Sequence, residues 1–103
     1  MRTAARADDN QTEIVAALRA AGCSVDDTSR LGKGFPDLVV GCCGATILME
    51  VKNPKTGYGR KGWNEKQGKW LSTWKGGAVA IVSDVESALR AARTAGNEQR
   101  TDA

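Results

Sequence analysis

Apolar residues recur at helical spacing near the start of the chain, at Ile14, Ala17, Leu18 and Ala21. That period predicts a helix from about Asp8 to Ala21, capped by Asp8, Asp9 or Asn10 and stopped at Gly22. Cys23 to Thr28 reads as a short first strand. Leu38-Val39-Val40 and Thr46 to Val51 are two further strand-like runs, and Gly41-Cys42-Cys43-Gly44 between them predicts an antiparallel hairpin. Pro54 to Gly62, with one proline and three glycines, reads as a mobile loop. A second helix is expected from about Asn64 to Lys75, ended by Gly76-Gly77. Gln67, Trp70, Leu71 and Trp74 share one face of it, and their spacing assigns Trp70 and Trp74 to the core. Ala78 to Val82 is an unbroken apolar run that suits a buried strand. Ser83-Asp84-Val85-Glu86 then has the capping-box pattern, opening a third helix to about Thr94. The basic segment 1–7 reads as a loose arm and the polar segment 96–103 as a disordered tail.

The order α-β-β-β-α-β-α predicts an α/β fold with a small mixed central sheet flanked by helices. The last strand, reached through a helical crossover, is expected to join in parallel. With 103 residues the chain is read as one domain over 1–103, its folded core spanning about 8–94. No apolar run is long enough to span a membrane, and no apolar segment of the signal-peptide kind follows the basic start.

Charge adds a location. The formal charge is only +3. Between Lys52 and Lys75, however, seven cations stand against the single anion Glu65. A clustered basic stretch is the footprint of a phosphate-binding face. Tyr58, Arg60 and Lys61 in the glycine-rich loop, with Lys55 before them, are candidates for contacting a DNA backbone. Ser29, ahead of the hairpin, is a further candidate, although a plain turn accounts for it as well. Trp63 lies at the loop boundary, where a base could stack on it.

The three cysteines, Cys23, Cys42 and Cys43, are odd in number and form no C-x-x-C pair. They predict reduced thiols in a cytoplasm-like compartment and too few ligands for a zinc site. The chain has no histidine. Acid–base chemistry must therefore come from carboxylates, lysines or a metal-bound water.

The chemistry-bearing stretch is Gly34-Phe35-Pro36-Asp37, followed after the hairpin by Glu50-Val51-Lys52. In the third strand Ile47, Met49 and Val51 face one side, and Leu48, Glu50 and Lys52 the other. Glu50 and Lys52 then project together, about 7 Å apart along the strand. The hairpin brings Asp37 level with positions 48 to 50. Two carboxylates can converge on one cation, with a lysine beside them and the backbone carbonyl of Val51 as a further ligand. Hard oxygen ligands suit Mg²⁺ or Mn²⁺, and such a site suits phosphodiester hydrolysis. A simple ion pair between Glu50 and Lys52 is the plainer reading of the same residues. Gln67, on an inward face, needs polar partners. It is expected to hold Lys52, a water or a phosphate, or else to bond backbone at the helix start. Glu13, at the border of the first helix's apolar face, is an ordinary exposed acid or a ligand acting through water.

On Gly34-Phe35-Pro36-Asp37, Glu50-Val51-Lys52 and Gln67 the chain resembles the PD-(D/E)XK nuclease superfamily. Within it, the chain is most similar to the small stand-alone viral or phage-type members of the VRR-NUC family, over residues 8 to about 90. The resemblance implies a restriction-endonuclease-like core and Mg²⁺- or Mn²⁺-dependent cleavage of branched DNA. Asp37 and Glu50 would be the metal-binding acids and Lys52 the catalytic lysine. Glu13 would be the acid of the first helix, and Gln67 the glutamine of the helix after the active-site strand. It further implies a homodimer resembling Holliday junction resolvases, in the cytoplasm of a prokaryotic or phage-infected cell. The leading expectation is an endodeoxyribonuclease for four-way junctions. The alternatives are a nuclease for flaps or duplexes, a non-catalytic DNA-binding module, and a structural or inhibitory protein that engages an acidic partner through its basic loop.

Overall fold

The computed structural model describes residues 2–55 and 64–102, with side chains described over 10–55 and 64–98. Three helices and a four-stranded sheet follow the predicted order: α1 (Arg2–Ala20), β1 (Ser24–Asp27), β2 (Leu38–Cys42), β3 (Ala45–Val51), α2 (Glu65–Thr73), β4 (Val79–Val82) and α3 (Val85–Asp102). The strands lie in the order β1-β2-β3-β4. The first two pairings are antiparallel, and β4 joins β3 in parallel. The sheet is therefore mixed, as the helical crossover requires.

The β2–β3 hairpin closes on Cys43-Gly44, both at positive φ (57° and 81°). Two left-handed residues form the tight turn whose twist matches the strands it joins. This turn sets the register Leu38↔Met49, Val39↔Leu48 and Val40↔Ile47. One more step outward places Asp37 opposite Glu50.

The sheet has two different faces. Val25, Leu38, Val40, Ile47, Met49 and Val82 point to one side and are buried against Ile14 and Leu18 of α1 and Ala88, Ala92 and Ala95 of α3. This is the hydrophobic core. Leu48, Glu50 and Lys52 point to the other side, and all three are buried.

Several expectations are corrected. Helix α1 starts at Arg2, so segment 1–7 is helical over its described residues. No proline or glycine interrupts Arg2 to Ala20, and alanine favours extension. Helix α3 continues to Asp102 rather than ending near Thr94. Ala95 and Gly96 are buried there. A Cβ at Gly96 would lie 2.8 Å from that of Cys43, so the bare glycine lets the helix dock on the hairpin turn. The cap of α3 is one residue later than its sequence suggests. Asp84, not Ser83, accepts from the Ser87 N–H at 2.8 Å, while Glu86 pairs with Arg90 at 3.0 Å. Strand β4 is an edge strand and only Val82 in it is buried. Trp70 is half-buried and Trp74 is 39 % exposed, so neither belongs to the core. They stack on each other at 4.9 Å, and Phe35 meets Trp70 edge-on at 5.2 Å. Both sides of the hydrophobic layer are already occupied by α1, α3 and the sheet, which leaves α2 against the loop before β2.

That loop turns through Gly32, Lys33 and Gly34, all at positive φ. A Cβ at Gly34 would stand 2.4 Å from the Lys66 carbonyl oxygen and 3.0 Å from the Trp70 Cβ. Here the lack of a side chain is required twice, by conformation and by contact. Gly34→Ala is expected to destabilise the fold by about 1–3 kcal/mol, read as a lower midpoint in urea unfolding. Gly44→Asn, at a position with open space, should cost far less.

Candidate active site

The site is built at the C-terminal end of β3, where strand alternation puts Glu50 and Lys52 on one face. Lys52 lies one residue beyond the strand, yet its N–H still donates to the Val82 carbonyl at 2.9 Å. Its own carbonyl accepts from Asn10 Nδ2 at 3.1 Å, which ties α1 to the same point. The lysine is therefore held on both sides of its backbone.

Asp37 comes from the other arm of the hairpin. Its Oδ2 accepts from the Val51 N–H at 2.9 Å. The N–H and C=O of one strand residue point the same way, so the Val51 carbonyl opens toward Asp37 as well. Thr28 steadies the approach to Asp37. Its N–H donates to the Asp37 carbonyl at 2.7 Å and its hydroxyl to the Pro36 carbonyl at 2.8 Å.

Gln67 joins the parts. Asn64 and Gln67 form a capping box at the start of α2. The Gln67 N–H donates to Asn64 Oδ1 at 2.9 Å, and Gln67 Oε1 accepts from the Asn64 N–H at 3.0 Å. The same Oε1 accepts from Lys52 Nζ at 2.9 Å, and Nε2 donates to Glu50 Oε2 at 2.5 Å. Lys52 Nζ stands 3.5 Å from that Glu50 oxygen. Sequence reasoning offered two roles for this glutamine, backbone capping or holding the lysine, and it performs both. The Asn64-x-x-Gln67 spacing was the available signal for the cap.

Glu50 and Lys52 are each only 4 % exposed. Burial, then the charge of Asp37, pushes the Glu50 carboxyl up to about 7, against the pull of Lys52 and Gln67. The Asp37 carboxyl is also raised, chiefly by burial, with the Val51 N–H, Lys52 and a hydrogen bond shared with the Glu50 carboxyl pulling it back and Asp27 adding repulsion. Two facing acids that resist ionisation together form a cradle for positive charge. One atom sharpens this. Glu50 Oε1 is buried and among the described residues accepts no hydrogen bond from an N–H or hydroxyl donor. A buried bare carboxylate oxygen costs stability unless something binds it. Its chemistry, with Asp37 and the Val51 carbonyl nearby, fits a hard divalent cation such as Mg²⁺ or Mn²⁺.

The remaining candidates fall elsewhere. Glu13 is exposed, and among the described residues no side-chain bond joins it to Asp37 or Glu50. Asn10, one turn earlier on α1, is the residue that reaches the site. Ser29 lies in a single 3-10 turn over Ser29–Leu31, where its N–H and hydroxyl both donate to Asp27, at 2.8 and 2.6 Å. These bonds hold the Asp27 carboxyl below its usual range. The plain-turn reading thus accounts for Ser29. Lys55 is exposed just past the site, its N–H donating to Asn53 Oδ1 at 2.9 Å. Tyr58, Arg60, Lys61 and Trp63 lie outside the described residues. Asn10 and Asp27 were missed by sequence reasoning, because nothing in the chain order shows that they meet this end of the sheet.

A raised acid binds its proton more tightly in the folded state than in the unfolded one. The metal-free protein should therefore lose stability as pH rises from about 4.5 to about 7, the interval over which Glu50 ionises only in the unfolded chain. Mg²⁺ should offset the loss, since it binds the ionised pair. Melting midpoints measured against pH, with chelator and with Mg²⁺, should diverge toward neutral pH. Parallel curves would remove Glu50 from the cation cradle.

Among the described residues no helix is long and apolar enough to cross a membrane. Compared with models of protein families, with curated proteins and with solved structures, the chain matches none.

Proposed function

We propose that this protein is a Mg²⁺- or Mn²⁺-dependent endodeoxyribonuclease that hydrolyses phosphodiester bonds in structured DNA, four-way junctions above all. The observation that carries the reading is the buried Glu50 carboxyl, set beside the Asp37 carboxyl and Lys52, whose Oε1 finds no N–H or hydroxyl donor among the described residues. The order α-β-β-β-α-β, with three strands in two antiparallel pairings followed by a parallel β4, agrees with a PD-(D/E)XK core. Resemblance to the VRR-NUC family rests on the same residues.

Asp37, Glu50 and the Val51 carbonyl would hold the cation. The metal would supply charge stabilisation at phosphorus and a more acidic water. Lys52 brings a fixed positive charge to the same spot, suited to orienting that water or offsetting charge that develops on the phosphate. Gln67 keeps the ammonium and the Glu50 carboxyl in register, so the lysine does not have to be ordered during the reaction. Glu13 enters this scheme only through an intervening water. Lys55, with Arg60 and Lys61, would carry the DNA backbone.

A homodimer would present two such sites to a target with two equivalent strands. The edges of the sheet differ in a way that supports it. Strand β1 carries Asp26 and Asp27, whereas β4 carries no charge and leaves Ile81 38 % exposed. An uncharged apolar edge is one that a second copy can cover. Ile81 pairs in register with Glu50, so such an edge would bring two sites onto one composite sheet.

Glu50→Ala and Asp37→Ala should abolish metal-dependent nicking of a labelled four-way junction while leaving binding intact. Lys52→Ala should slow it by about 10²–10³-fold. Binding without metal-dependent nicks in the unaltered protein would instead favour a non-catalytic DNA-binding module. Flap and linear duplex substrates run in parallel rank the target. Sedimentation should find a dimer, and Ile81→Lys should shift it to monomer; a monomeric unaltered protein would remove the dimer from the scheme.

A further inference from the structure

Away from the acids and the lysine, the closest-packed reactive groups are three thiols at the opposite end of the sheet. Cys23 stands just before β1, Cys42 ends β2, and Cys43 lies in the hairpin turn. The β1–β2 register pairs Ser24 with Gly41, so the next pair outward is Cys23 with Cys42. The Thr28 N–H donates to the Asp37 carbonyl, which makes 28–37 a hydrogen-bonded pair. Counting in twos, 26–39 and 24–41 are also hydrogen-bonded pairs, and 23–42 is a pair of the other kind. In such pairs the Cα atoms approach to about 4.5 Å. That separation falls inside the range of about 4.4–6.8 Å that a disulfide spans.

The side chains already exploit this approach. Cys23 Sγ and Cys42 Sγ are 2.8 Å apart, and Cys43 Sγ is 3.7 Å from Cys42 Sγ. None of the three is in a disulfide, and they are graded from buried Cys23 through half-buried Cys42 to exposed Cys43. A bond between the adjacent Cys42 and Cys43 would close a small ring around their trans peptide and strain it. A bond between Cys23 and Cys42 joins two strands that the sheet already holds side by side.

We propose that Cys23 and Cys42 form a reversible dithiol–disulfide site that exchanges with small aliphatic disulfides of the oxidised-glutathione class. The half-buried Cys42 thiolate attacks one sulfur of the small disulfide. It forms a mixed disulfide and expels the first small thiolate. The Cys23 thiolate then attacks Cys42 Sγ, forms the Cys23–Cys42 bond and expels the second. The two protons of the cysteine thiols end on the two small thiols, and two electrons pass from the cysteine pair to the small disulfide. Cys43 keeps its thiol. The closed ring of chain contains the Gly32–Gly34 turn and Asp37, so oxidation restricts that segment in the unfolded state and locks β1 to β2. Nothing in this site touches Asp37, Glu50, Lys52 or Gln67, and the inference stands independently of any nuclease activity.

The full-length protein is incubated with excess oxidised glutathione, then alkylated and weighed by intact-mass spectrometry. The expected product has lost two hydrogens and keeps one alkylatable thiol. It melts at least about 5 °C higher than the reduced protein, and dithiothreitol reverses both changes. Cys43→Ser, at the exposed position, should still form the bond and leave no alkylatable thiol, which assigns the link to Cys23 and Cys42. Cys23→Ser should yield glutathione adducts alone. Stable adducts on the unaltered protein without the loss of two hydrogens, or a bond that disappears in Cys43→Ser, would overturn the proposal. So would an oxidised protein that melts no higher than the reduced one.

Discussion

A glutamine amide placed between a buried acid and a buried lysine organises this molecule. Removing a carboxyl or an ammonium from water costs several kcal/mol, and mutual attraction repays that only when the remaining polar atoms also find partners. Gln67 is such a partner for both groups, with its oxygen toward Lys52 and its amide nitrogen toward Glu50. The same side chain caps α2. Helix α2 is thus fastened to the sheet by polar bonds at its first turn, and by the close approach of Gly34 to Lys66, rather than by a hydrophobic stripe. Loss of the amide would therefore loosen the helix and uncouple the two charges at once.

The two faces of the sheet divide the work. Alternation along β3 sends Ile47 and Met49 into the layer made by α1 and α3, and sends Glu50 and Lys52 the other way. Stability comes from the first face. The second holds groups that a purely apolar sheet would not tolerate, and among the described residues it offers Glu50 Oε1 no N–H or hydroxyl donor. A residue pattern that violates the usual rule for buried charge is where function is to be sought. The proposed cation cradle and the proposed thiol site lie at opposite ends of β2, with Asp37 just before the strand and Cys42 its last residue.

The departures from sequence expectation have specific causes. Helix ends are set by what the chain meets, not only by its own residues. Gly96 does not stop α3, because the absent side chain lets the helix lie against Cys43. Trp70 and Trp74 have the spacing of core residues. They stack on each other instead, with Phe35 edge-on to Trp70, because α1 and α3 already fill the hydrophobic layer. The continuous apolar run of β4 resembles a central strand, but no fifth strand follows to cover its far side among the described residues.

Sequence alone determined the order of the elements, a hairpin within Gly41-Cys42-Cys43-Gly44, and the shared side of Glu50 and Lys52. Each of these depends on local periodicity or turn chemistry, which a neighbour-by-neighbour reading captures. Tertiary structure decided that Asp37 bonds the Val51 N–H, that Asn10 reaches the Lys52 carbonyl, and that Gln67 bridges the lysine and the acid. It also decided that Glu13 stays at the surface and that Cys23 meets Cys42. These contacts join residues far apart in the chain. Their partners are chosen by packing of helices on the sheet, and that information is carried by no single stretch of residues.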